Sequence, residues 1–219
     1  MGFLQEKDRE YIRKIFTALK DDVQIIYFTQ ELECQFCRET RQILEELSAL
    51  SDKIHLQVYN FVTDKELAEK YKIDKIPATV IASVKDFGIR YYGIPSGYEF
   101  SSLLEDIIDV SNGDSGLSEP ARNLLKSIKE PVHLQVFVTP TCPYCPQAVR
   151  LAHKIAIENE YITADMVEAT EFPHLAMRYN VRGVPKTMIG EHTSIEGAMQ
   201  EIKFIEKLVE TYNSLQAKQ

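Results

Sequence analysis

The sequence predicts an α/β protein in which one unit is used twice in tandem, each copy a central mixed sheet flanked by helices. Three observations predict it. Four cysteines fall as two CxxC pairs, Cys34-Gln35-Phe36-Cys37 and Cys142-Pro143-Tyr144-Cys145, offset by 108 residues. An aliphatic–proline step follows each first cysteine at one distance, Ile76-Pro77 and Val184-Pro185, and the pairs Tyr71/Tyr179 and Ile73/Val181 keep the same offset. A β-branched and aromatic segment precedes each pair, Val23–Thr29 and Val132–Thr139, with the character of a buried strand. Self-similarity at a fixed period marks a duplicated unit.

The elements follow in order. Residues 8–20 place Tyr11, Ile12, Ile15, Phe16 and Leu19 at helical spacing. The first strand and the first cysteine pair come next, then a helix with Ile43, Leu44, Leu47 and Leu50 inward. Ile54–Phe61 alternates as a strand, Asp64–Tyr71 suits a helix with Leu67 and Ala68 facing in, and Ala78–Ala82 and Ile89–Tyr92 read as two further strands. Phe100–Val110 closes the unit as a helix. The only dense mid-chain turn cluster, Asn112-Gly113-Asp114-Ser115-Gly116, places a linker at 113–117 between units spanning 1–112 and 118–219. The second unit repeats the order. A helix starts at Ser118 with Pro120 in its first turn, and a strand and the second cysteine pair follow. Then come a helix with Val149, Ala152, Ile155 and Ala156 inward, a strand near Tyr161–Val167 and a helix near Pro173–Tyr179. Two short strands flank Gly190, and a last helix runs to about Leu215.

Composition excludes several classes. With 44% hydrophobic and 26% charged residues and a net charge of −8, the chain is an ordinary globular one without the clustered positive field a nucleic acid wants. No run approaches the roughly eighteen apolar residues of a membrane span. The N-terminal stretch Met1–Asp8 carries charges where a secretory leader needs an apolar core, which points to the cytoplasm.

The cysteine pairs carry the chemistry. Two intervening residues suit either a redox dithiol or half of a zinc site. Each pair follows a strand and opens a helix, where unpaired N–H groups and the helix dipole favour a thiolate at the first cysteine. The second thiol lies about one turn on and can attack a mixed disulfide formed by the first. A cis bond at Ile76-Pro77 and Val184-Pro185 would turn the chain beside the sulfurs and expose the N–H and C=O of Ile76 or Val184 to a substrate backbone. Phe36 and Tyr144, between the cysteines, are placed to touch substrate. The zinc alternative fares worse, because zinc knuckles join their halves over a short loop, and His55, His133, His153, His174 and His192 show no metal spacing. Static disulfides are the other alternative, and so tight a ring is a poor staple. Pro95, Pro131, Pro140 and Pro173 read as turn or strand-edge prolines, and Lys203, Lys207 and Lys218 as a solvated face.

A strand, a CxxC at a helix start and an aliphatic–proline turn before a hairpin resemble the thioredoxin/glutaredoxin fold, and Cys142-Pro143-Tyr144-Cys145 is similar to the glutaredoxin dithiol. Two such thioredoxin/glutaredoxin-like units with both dithiols intact, together with Gly88–Phe100, resemble the protein disulfide oxidoreductases (glutaredoxin-like proteins) of thermophilic prokaryotes. The two-unit N-terminal domain of the alkyl hydroperoxide reductase flavoprotein, which usually keeps one dithiol, is also similar. The resemblance implies thiol–disulfide exchange on disulfide-containing or dithiol proteins by Cys34, Cys37, Cys142 and Cys145. It further implies recycling by a thioredoxin-reductase-like flavoprotein, a peroxiredoxin as a further partner, and no cofactor of its own. A chaperone-like module that holds peptides without turnover is the non-enzymatic alternative. Two departures stand out. Glu33 and Thr141 replace the tryptophan that thioredoxins carry before the first cysteine. The strands before the dithiols lack the thioredoxin aspartate, so no proton acceptor is identifiable. Charge counting predicts that Cys142 is the stronger nucleophile. Glu31 and Glu33 disfavour a thiolate at Cys34, partly offset by Arg38, whereas Arg182 and Lys186 flank the second proline turn and Lys72 and Lys75 at the first are offset by Asp74.

Overall fold

The computed structural model describes residues 2–30 and 32–217. Glu31 and Lys218, invoked above, lie outside the described residues. The first half runs α1 (Glu6–Phe16), β1 (Val23–Thr29), α2 (Cys37–Ser48), β2 (Ile54–Asn60), α3 (Lys65–Lys70), β3 (Ala78–Ala82), β4 (Asp86–Tyr92) and α4 (Glu99–Asn112). The second runs α5 (Glu119–Leu125), β5 (Val132–Val138), α6 (Cys145–Glu158), β6 (Ile162–Glu168), α7 (Pro173–Arg178), β7 (Lys186–Ile189), β8 (Thr193–Glu196) and α8 (Glu201–Gln216). The type of every element agrees with the sequence reading, with ends shifted by a few residues.

The halves join through their sheets. All eight strands form one sheet ordered β2-β1-β3-β4-β6-β5-β7-β8, so the order 2-1-3-4 of the first half recurs as 6-5-7-8. Within each half the first two strands are parallel, in the registers Val23↔Ile54 and Val132↔Ile162. The joint is a parallel pair of β4 and β6, from Ile89↔Ala164 to Tyr92↔Val167. Sequence did not predict this seam, and burial explains what it does. The equivalent strands β2 and β6 differ because β2 is an outer edge, largely exposed, while β6 lies inside the sheet and is almost wholly buried.

Alternation along the strands splits the core into two layers. Val23, Ile25 and Tyr27 of β1 and Leu134, Val136 and Val138 of β5 face a layer packed by α1, α2, α4, α5, α6 and α8. Ile26, Phe28 and Phe137 face the other layer, which is covered by α3 and α7. Two expectations are corrected here. Tyr11 is on the α1 stripe but 62% exposed, because Ile12 and Phe16 already fill the buried side. Pro173 is the first residue of α7, where a missing N–H costs nothing, rather than a turn or strand-edge proline.

Behind the seam lies a buried polar cluster joining α4 to α6. The Tyr91 hydroxyl donates to Asp106, and His153 Nδ1 lies 2.5 Å from Asp106 Oδ2. Arg150 pairs with Asp106, with Asp109 at 2.5 Å and with Glu105 at 3.0 Å. Burial, reinforced by the Arg150 charge, pushes His153 down to about 3. Among the described residues no helix is long and apolar enough to cross a membrane.

Candidate functional site

Each cysteine pair is closed as a disulfide with Cα atoms 5.5 Å apart, at the carboxyl end of its half's first strand. The second cysteine of each, Cys37 or Cys145, is the first residue of its helix, and the first cysteine lies in the turn before it. Both second cysteines are buried. Cys142 is 8% exposed, and Cys34 is half-buried. The tether of Cys37 is specific to its half. The buried Tyr27 hydroxyl, rising from β1 beneath the helix start, donates to the Cys37 carbonyl at 2.7 Å.

The proline turns sit where the spacing put them. Ile76-Pro77 and Val184-Pro185 are both cis. The Pro77 carbonyl accepts from Gly93 N–H at 3.0 Å and the Pro185 carbonyl from Gly197 N–H at 2.8 Å, the same anchor in both halves. Cys142 Sγ lies 3.7 Å from the Val184 carbonyl oxygen, so the second turn faces its own disulfide. Tyr144 is 68% exposed. Phe36 differs from the expectation. It is half-buried against the core, because it caps the start of α2 and packs inward there.

The charges around the turns are more engaged than counting suggests. Lys186 is buried, donates to the Asn180 carbonyl at 3.2 Å and lies 3.5 Å from Glu196. Arg182 donates to Asn180 Oδ1 at 3.0 Å, and Lys75 pairs with Asp74 at 2.5 Å. The electrostatic advantage expected for Cys142 therefore has weaker support than the residue list gave it.

Two acids were missed by sequence reasoning, which looked for them on the strands before the dithiols. Glu99, the first residue of α4, is 1% exposed. Burial pushes it up to about 7, against the opposing hydrogen bond from Ser102, whose Oγ lies 2.8 Å from Glu99 Oε2. The residues just before it brace the second dithiol loop: Tyr98 N–H donates to the Pro140 carbonyl at 3.0 Å, two residues ahead of Cys142. Glu171, between β6 and α7, is also pushed up to about 7, by burial and by the neighbouring Glu168 charge, with an opposing hydrogen bond from Ile94 N–H. Glu99 thus follows directly on the turn that braces the other half's dithiol loop, and Glu171 is bound by an amide of the other half. No single-strand pattern could have flagged them.

The class that this geometry defines is the thioredoxin fold, here carrying two CxxC disulfides in one chain. Residues 132–210 match the family described as a thioredoxin domain. A protein disulfide oxidoreductase from Aeropyrum pernix K1 superposes with a TM-score of 0.89 at 29% identity, over 98% of this chain and 96% of that one. The NTD_N/C domain of alkylhydroperoxide reductase AhpF from Enterococcus faecalis (V583) superposes with a TM-score of 0.87 at 27% identity, over 94% and 100%. The AhpF component of alkyl hydroperoxide reductase from Staphylococcus epidermidis is 26% identical over 80% of this chain and 32% of its own length. An NADH dehydrogenase of Bacillus subtilis is 23% identical over 76% of this chain and 30% of its own. The chain spans about a third of the length of the curated relatives it matches.

Proposed function

We propose that the chain reduces, forms or isomerises disulfides of other proteins at both dithiols. The observation that carries this reading is the second site, where a closed CxxC disulfide at a helix start lies 3.7 Å from the carbonyl of a cis-proline turn. Cys34 and Cys142 are the nucleophiles and Cys37 and Cys145 the resolving thiols. A thiolate of the first cysteine attacks a substrate disulfide, one substrate sulfur leaves as thiolate, and the second cysteine then displaces the other. Ile76-Pro77 and Val184-Pro185 offer backbone to an extended substrate segment, and Tyr144 offers an exposed ring. Phe36, half-buried, contributes mainly to the floor of its site. The two units are 1–112 and 118–219, joined by 113–117. Partners are disulfide-containing or dithiol proteins and a thioredoxin-reductase-like flavoprotein that returns electrons, all in the cytoplasm.

A second reading, an electron carrier between a flavoprotein and a peroxiredoxin, is supported by the likeness to the AhpF domain. Turnover separates these readings from peptide holding without chemistry. Insulin reduced by excess dithiothreitol should be processed catalytically, and a binder would show no acceleration. Peroxide consumption with an added flavoprotein reductase and peroxiredoxin, exceeding the rate without this chain, would select the carrier role.

A further inference from the structure

An open apolar cleft of about 540 Å³ lies on the helical side of the first unit and takes no part in the exchange chemistry. Its floor is Ile12 of α1, Ile43 of α2 and Leu104 of α4, all buried, and its rim is the exposed rings of Phe3, Tyr11 and Tyr98. Exposed apolar side chains scattered singly need no explanation, but several gathered round one concavity mark a binding surface. Among the described residues that line it, Asp8 alone is charged, so the cleft suits an uncharged, apolar occupant.

Both walls are fixed in advance. Phe3 N–H and Leu4 N–H donate to the Glu46 carboxylate at 2.8 Å and 3.0 Å, and Arg9 binds the same carboxylate at 2.7 Å and the Leu4 carbonyl at 3.2 Å. A segment outside helix and sheet is ordinarily mobile unless it is tied down, and these bonds hold Phe3 at the rim. On the other wall, Tyr98 N–H donates to the Pro140 carbonyl at 3.0 Å. Gly97, which also lines the cleft, packs so closely there that a Cβ would lie 2.1 Å from the Pro140 carbonyl oxygen. Pro140 is two residues ahead of Cys142. The cleft is therefore continuous with the second dithiol loop, although the first unit supplies the residues that line it.

We propose that this cleft docks apolar side chains of a polypeptide whose disulfide is exchanged at Cys142, so that the first unit selects substrate for the second unit's dithiol. This rests on the reading of Cys142–Cys145 as a redox centre. Two residues of chain span at most about 7 Å, which bounds the distance from Pro140 to Cys142. An aromatic or aliphatic residue a few positions from the reacting substrate cysteine bridges the rest. A cleft with walls already in place spares much of the ordering cost of binding, and the docked side chain is favoured because its apolar surface leaves water. It lies away from the sulfurs and is held equally before and during exchange, so the cleft acts on KM and not on kcat.

The test uses the full chain with the first dithiol silenced as Cys34→Ser/Cys37→Ser, with and without Phe3→Ala/Tyr11→Ala. A second variant, Ser101→Arg, puts a charge into the cleft from α4. Both truncated rings are exposed, so the fold is retained, which the melting temperature checks. The substrates are two disulfide-containing peptides, one with Phe and Leu a few residues from the cysteine and the other with Ser in both places. A fluorescent, cysteine-free copy of the apolar peptide reports binding by anisotropy without chemistry. The expected result is a KM about tenfold lower for the apolar peptide at similar kcat, equal to about 1.4 kcal/mol, with the preference lost in both variants and binding of the cysteine-free copy weakened by the same factor. Equal KM values for the two peptides, or a preference that survives both variants, overturn the role of the cleft and leave the dithiol's function standing. Binding of the cysteine-free copy with no turnover of either peptide overturns the redox reading and leaves the cleft as a docking site. A dimer of the unsubstituted chain in sedimentation that Phe3→Ala/Tyr11→Ala dissolves gives the cleft to a second copy and overturns substrate docking.

Discussion

Replacing Gly97 with alanine should injure the second dithiol more than the first. Gly97 has φ +61°, and a Cβ there would lie 2.1 Å from the Pro140 carbonyl oxygen and 2.8 Å from its carbon. Neither atom is the end of a flexible side chain, so the turn at 96–98 or the loop carrying Cys142 must retreat by about 1 Å to restore van der Waals contact. A left-handed alanine costs roughly 1–2 kcal/mol, and overpacking costs about as much again. The Tyr98–Pro140 hydrogen bond, 3.0 Å in length, contributes about 1 kcal/mol more when it is lost. A total of roughly 3–5 kcal/mol corresponds to a fall of about 6–20 °C in Tm for a chain of this size. The assay pairs thermal melting with insulin reduction in two backgrounds, Cys34→Ser/Cys37→Ser and Cys142→Ser/Cys145→Ser. The expected result is a clear drop in turnover by the second dithiol and little change at the first. An unchanged Tm, or equal losses at both dithiols, would refute the claim that 96–98 braces the second loop.

Three further outcomes follow from the same contacts. Glu99 is more basic in the folded chain than in the unfolded one, so it favours folding at low pH and that advantage is lost as pH rises from about 4.5 to about 7. Glu99→Gln should remove a decline on the order of 2 kcal/mol over that window, seen by comparing denaturant unfolding at pH 5 and pH 8. His153 runs the other way, its depressed value costing stability as pH falls below 6.5, and it serves as an internal control for sign. Asp106→Asn leaves Arg150 without its buried counter-charge and should cost about 3–5 kcal/mol by urea unfolding, whereas Glu105→Gln, at the exposed end of the cluster, should cost less than about 1 kcal/mol. Cys142→Ser should remove most reductase turnover and Cys34→Ser leave a substantial share. With Lys186 engaged by Glu196 and Asn180, the difference in thiolate pKa should be under about one unit by iodoacetamide labelling against pH, and a lower value at Cys34 would reverse the ranking.

How much was legible in the sequence depends on whether the signal was local. The dithiols, the aliphatic–proline steps and the paired strands are short patterns repeated at one offset, and both prolines are cis and the Val184 turn faces its disulfide. The β4–β6 seam was not legible, because nothing in Ile89–Tyr92 or Ile162–Glu168 distinguishes a strand buried by its own unit from one buried by its neighbour. The same gap hid Glu99 and Glu171, the first buried beside Ser102 just after the Tyr98–Pro140 bond and the second bound by Ile94 N–H of the other half. Phe36 and Tyr144 occupy equivalent positions, yet only the structure reveals that one packs inward and the other stays exposed.

The most direct test of the account is to trap the exchange intermediate. The full chain with Cys37→Ser and Cys145→Ser keeps both proposed nucleophiles and lacks both resolving thiols. Incubated with a disulfide-containing peptide and analysed by intact and peptide mass spectrometry, it should gain one peptide half on Cys34 and one on Cys142, both released by dithiothreitol. A chain that stays unmodified at both cysteines while remaining folded would contradict the central claim that these are exchanging redox dithiols.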